Sequence, residues 1–173
     1  MGAFAEMIVA GHRRTQSYAQ RLLKDVSPAM FARKAVVNGK SIETNHAAWV
    51  YGHLCLYPQR IAIALGRASD VPELPASWEA LFKDGTPCLD DADAQIYPAM
   101  SAVVDAYIKG YEAIASVVLT ISDADFSKPT PVERYREFLP LVGGMAMFMM
   151  NNHIAVHMGQ VSAWRRCMGL GNA

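Results

Sequence analysis

The chain has 173 residues, and sixteen basic side chains balance sixteen acidic ones, so it carries no formal net charge at neutral pH. That balance supplies no overall field to draw it to nucleic acid or an anionic membrane surface. Three widely spaced cysteines, Cys55, Cys88 and Cys167, argue against a disulfide framework or a cysteine-based zinc site.

The length suits one domain over residues 1–173, burying about two-thirds of its unfolded surface. The opening Met1-Gly2-Ala3-Phe4-Ala5-Glu6 lacks the basic region and apolar core of a secretory signal. The most apolar run, Phe138 to Met150, is too short to span a bilayer. The expectation is a cytoplasmic enzyme or binding protein with no membrane partner.

The pattern predicts helices and almost no strands. The first helix runs from about Phe4 to Asp25, with Met7, Ala10, Arg14, Tyr18, Arg21 and Leu22 on related faces, and Ser27-Pro28 stops it. N-cap candidates between Ser41 and Asn45 precede a second helix from Ala47 to Leu65, with Pro58 inside it. Residues 66–96 read as a long connection with one short helix at Trp78–Phe82, and its acidic cluster Asp90, Asp91 and Asp93 reads as solvated loop. A third helix is expected from about Pro98 to Ile121, then an irregular stretch from Ser122 to Pro140. The fourth runs from about Leu141 to Met168 and ends at Gly169, with Arg165 and Arg166 capping its end or holding a dimer contact. The fold class is therefore all-α: a four-helix bundle with long crossover connections.

On the fourth helix His153 and His157 lie four residues apart, which turns them about 40° and lifts one about 6 Å above the other on the same face. Both fall on a broad stripe with Ala146, Met149, Met150, Val156, Gln160, Val161 and Trp164. Buried imidazoles need partners. Hydrogen bonds within the core or coordination of one ion would both provide them, and Gln160 is close enough to His157 to orient it. A third ligand has to come from another helix. His46 and His53 stand about 10.5 Å apart along the second helix, so one of them at most meets the pair. His53, at mid-helix beside Trp49, is preferred, and His46 is assigned to the pocket rim or the helix cap. Trp49, a core anchor, and Tyr57 are placed around the same pocket. His12, between Gly11 and two arginines, is expected on a polar face.

Trp49-Val50-Tyr51-Gly52-His53-Leu54, His153-Ile154-Ala155-Val156-His157-Met158-Gly159-Gln160 and Arg165-Arg166-Cys167-Met168-Gly169 together resemble the DinB-like (DinB/YfiT-type) family of metal-binding four-helix bundles. The pieces are W-x-x-G-H-L on the second helix, then H-x-x-x-H-x-G-Q and R-R-x-x-G on the fourth, in that order. The resemblance implies a three-histidine site from His53, His153 and His157, commonly holding zinc or nickel, and frequent homodimers. It also implies chemistry ranging over transferases and isomerases that use low-molecular-weight thiols.

Three neutral imidazoles leave a divalent ion its full charge, suited to activating water or a thiol on a small-molecule substrate. No Glu follows His153, so the ligand-plus-base arrangement of zinc proteases is absent. A general base would come from Tyr57, Gln160 or a loop acid. The expected function is thus a metal-dependent hydrolase or thiol-dependent transferase. The alternative is a non-catalytic, metal-binding dimeric bundle serving as sensor, store or scaffold.

Overall fold

The computed structural model describes residues 2–173 and is predominantly helical. Helix α1 (Ala3–Leu22) gives way to a positive-φ Asp25, and a one-turn α2 (Pro28–Phe31) starts on its proline. A minimal antiparallel pair, β1 (Val36–Val37) and β2 (Lys40–Ser41), is joined by Asn38-Gly39. Their φ values of 52° and 74° are those a tight two-residue hairpin turn demands. Then follow α3 (Ala47–Ala64), α4 (Ser77–Phe82), α5 (Met100–Val118) and α6 (Asp123–Phe126). The last helical stretch is continuous but composite: α7 (Val142–Met147), a π-helical turn at Phe148–Asn152, and α8 (His153–Cys167). Among the described residues, no helix is long and apolar enough to cross a membrane.

The long helices pack in a ring: α3 lies on α5 and α8, and α1 lies on α8 and α5. The closest pair is α3 with α5. Gly110 faces Pro58 there, and a Cβ at Gly110 would stand 3.2 Å from the proline ring. Pro58 removes one helical N–H without ending α3, because the helix is buried on nearly every side and packing outweighs the lost bond.

Three expectations are corrected by this packing. The buried stripe of α1 is Ala5, Ile8, Val9, His12, Ala19 and Leu22, while Met7, at 62% exposure, with Ala10 and Arg14, faces out. His12 therefore sits in the core and not on a polar face; its Nδ1–H donates to the carbonyl of Met150 at 3.1 Å and its ring stacks on Tyr111. The second correction concerns Asp91, which is buried and accepts the backbone N–H groups of Gln95, Ile96 and Tyr97 at 2.9–3.0 Å, folding the loop around itself. Asp90 and Asp93 are exposed, as expected of a solvated loop, and Asp90 pairs with Arg33 at 2.9 Å.

The third correction is on α8, where Val156 is 64% exposed. The stripe centres on Ile154, Met158, Val161 and Arg165, so His153, His157 and Gln160 stand on its flank and not at its middle. At 100° per residue Val156 then falls beyond the histidines, on the solvent side. Arg165 itself is buried and donates to the carbonyls of Leu22 and Lys24, which α1 leaves unpaired at its C-terminus, and to Leu170. Gly169, at φ 79°, closes α8 as expected.

The π turn explains how α8 is aimed. Besides the His12 bond to Met150, Asn151 Nδ2 donates to the carbonyl of Ile8 at 3.2 Å. Gly11 lets the two helices approach, since a Cβ there would come within 2.5 Å of Asn151 Oδ1. Helix α1 thus clamps an underwound turn immediately before His153. Such turns recur at functional sites.

Candidate metal centre

On α3, Trp49, His53 and Tyr57 recur every four residues and so share one face. Trp49 stacks flat on His53, with centroids 4.9 Å apart and planes 8° apart, and its indole N–H donates to Thr86. Tyr57 packs edge-on to the other side of the His53 ring. His153 opens α8 and His157 follows one turn later. Their ligand atoms and those of His53 all lie within 4.8 Å of one another.

The tautomers are set by bonds on the far side of two rings. His53 Nδ1–H donates to the carbonyl of Phe82, at the end of α4, at 2.7 Å. His157 Nδ1–H donates to Gln160 Oε1 at 2.9 Å, and Asn45 Nδ2 donates to the same oxygen, fixing the amide as acceptor. Both rings therefore turn an unprotonated Nε2 inward. His153 Nε2 lies 3.4 Å from His53 Nε2 and 3.1 Å from His157 Nε2. Nitrogens bound to a tetrahedral ion at about 2.0–2.1 Å stand about 3.3 Å apart, so the two spacings from His153 match a shared ion, and the His53–His157 pair lies within the 4.8 Å span of the cluster.

Hydrogen bonding alone serves this cluster poorly. One proton on His153 Nε2 can reach His53 or His157 but not both, and His153 Nδ1 is buried without a partner. The Tyr57 hydroxyl, 3.2 Å from His53 Nε2, is the remaining donor. Burial draws His53 down to about 4 and His153 to about 3, the latter reinforced by its two neighbouring imidazoles. Burial also lowers His157, against the opposing bond from Gln160. All three are neutral at pH 7, the state a ligand requires. Tyr57 is pushed up by burial and keeps its proton.

A cavity of about 270 Å³ opens beside the three imidazoles. Its walls are aromatic, from Trp49, Tyr57, Tyr135, Phe138 and Phe148, with Met149 behind them and the carboxylate of Asp84 at the edge. Asp84 is an acid lining this cavity, and its approach depends on the turn after α4, where Gly85 takes φ 83°.

The structure brings together His53, His153, His157, Gln160, Trp49 and Tyr57, and gives His46 the helix-cap role and no share in the cavity lining. His46 is fully buried as the N-cap of α3: its Nδ1 accepts from the Trp49 N–H and its Nε2 meets the Leu89 carbonyl at 2.8 Å. With both nitrogens occupied it has no place on the cavity wall, and the pocket-rim assignment fails. Cys55 points to α5, bonding the Val103 carbonyl, and burial raises its thiol. No known family model matches the sequence, and neither does any curated protein.

Proposed function

We propose that this chain is a metal-dependent enzyme of the DinB-like type, a four-helix bundle that holds zinc or nickel through His53, His153 and His157. The observation that carries the reading is the meeting of three neutral imidazoles within 4.8 Å, His153 standing at ligand spacing from both of the others, whose tautomers are fixed from behind. A divalent ion held there would supply Lewis acidity, lowering the pKa of water or a low-molecular-weight thiol towards neutrality.

The chain's own groups provide the rest. The aromatic walls offer an apolar surface to the non-polar part of a small substrate. The protonated Tyr57 hydroxyl can donate to a developing negative charge, and Asp84 can take up a proton at the cavity edge. Three ligands facing a cavity support catalysis over the alternative of a sensor, store or scaffold, because purely structural sites close the fourth position with protein. A homodimer in the cytoplasm completes the proposal.

Metal analysis of the purified protein and of His157→Ala tests it. The expected result is one ion per chain in the first and a large loss in the second. Unchanged content in the variant refutes the ligand assignment.

A further inference from the structure

The candidate centre does not end at its own cavity. A second cavity, about 390 Å³, shares Tyr57, Tyr135 and Met149 with the first and continues outward to Arg60 and Arg134. Tyr57 bridges the two spaces. Its hydroxyl touches His53 Nε2 at 3.2 Å, while the Arg60 guanidinium lies 5.1 Å from the centroid of its ring. That places Arg60 within about a Debye length, roughly 10 Å, of the imidazoles.

Arg134 lies over the ring of Tyr135, 4.6 Å from the centroid, and donates to the Tyr135 hydroxyl. Stacking of this kind leaves other in-plane N–H groups free for a carboxylate or phosphate. Among the described residues Arg134 makes no ion pair, whereas Arg60 is shared with Glu79 at 2.8 Å. Two guanidinium groups against one carboxylate give the outer lobe a positive balance. The cleft therefore runs from a would-be cationic centre, past aromatic walls and Met149, to a second positive site.

The geometry points to a substrate with an anionic tail: a small molecule carrying a carboxylate or phosphate that Arg134, assisted by Arg60, holds while its reactive end reaches the three histidines, an inference that rests on the metal reading above. Tyr57 and Tyr135 pack its middle, and Arg134 is then a specificity-determining residue.

The test uses the Co²⁺-loaded full chain and two probes with the same benzyl-thiol frame, 3-(mercaptomethyl)benzoic acid and its uncharged methyl analogue, 3-methylbenzyl mercaptan. Thiolate binding to Co²⁺ is followed by the sulfur-to-metal absorption band. The carboxylate probe should bind about tenfold tighter than the neutral one. That advantage should shrink to about twofold in Arg134→Gln and diminish in Arg60→Gln, and raised salt should erode it. Arg134 is exposed, so its variant puts the fold at little risk. Equal affinities in the wild type, or an advantage untouched by both substitutions, would overturn the anionic-tail inference while leaving the metal reading intact. Failure of Co²⁺ to give a histidine-ligated spectrum overturns both, and is read before any probe is added.

Discussion

Gly52 offers a severe test of how α3 and α4 are fitted together. An added Cβ would stand 2.3, 2.4 and 2.5 Å from Cε1, Cζ and Cδ1 of Phe82, about 1 Å inside ordinary contact. The Phe82 ring is fully buried and boxed by Trp78 and Tyr97, with centroids 5.6 and 5.7 Å away, so it has no free direction. Overpacking in such a place costs about 3 kcal/mol. Replacing glycine inside a helix returns about 1 kcal/mol, leaving Gly52→Ala less stable by about 2 kcal/mol. For a chain of this size that lowers Tm by about 4–8 °C. Thermal unfolding of the metal-free protein, followed by far-ultraviolet circular dichroism, measures it. The Phe82 carbonyl also orients His53, so metal affinity should fall together with stability. In a Phe82→Ala background the clash is gone, and the same glycine substitution should become neutral or stabilising. A Gly52→Ala protein as stable as the parent, or a cost unchanged in the Phe82→Ala background, would refute the reasoning.

Burial holds all five histidines, His12, His46, His53, His153 and His157, below their ordinary value of 6.5. The unfolded chain therefore binds more protons than the folded one as pH falls from 6.5 towards 4, and metal-free stability must drop through that window; a urea midpoint that is flat or rises between pH 7 and pH 5 would contradict this. Gln160→Ala removes the acceptor of His157 Nδ1–H and should weaken metal binding about 10–100-fold without unfolding the chain, as measured by competition with a chromophoric chelator. Asp91→Ala strands three backbone N–H groups and should cost about 2–3 kcal/mol in denaturant unfolding, since other partners for them are lacking inside the loop.

The long helices were legible because their signals are local, with Gly169 at the end of α8, Pro98 just ahead of α5 and 3.6-residue periodicity within, while the one-turn helices α2 and α6 carry no such periodicity and were not read. His153, His157 and Gln160 were legible for the same reason, being three and four residues apart on one helix. His53 needed one further step, a mid-helix position on a buried element. What escaped was whatever depends on a neighbour. The depth of His12 is set by the π turn and α5 packing on it, through Met150 and Tyr111, and two flanking arginines suggested the opposite. The exposure of Val156 follows from the stripe centring on Ile154 and Met158, which only the contact with α1 and α3 decides. The π turn carries no sequence signature of its own, since the bonds that hold it come from Ile8 and His12, far away in the chain. Asp91 looked like one more loop acid because its three partners are backbone groups, which composition does not display.

If three imidazole Nε2 atoms share one divalent ion with a position left open to the cavity, the ion's own coordination shell records it. X-ray absorption spectroscopy of the zinc-loaded chain tests it most directly. The expected shell is three histidine nitrogens at about 2.0–2.1 Å with one further light atom, with loss of one imidazole's scattering in His153→Ala. A sulfur neighbour at about 2.3 Å, or a shell with fewer than three imidazoles in the unaltered protein, would contradict it.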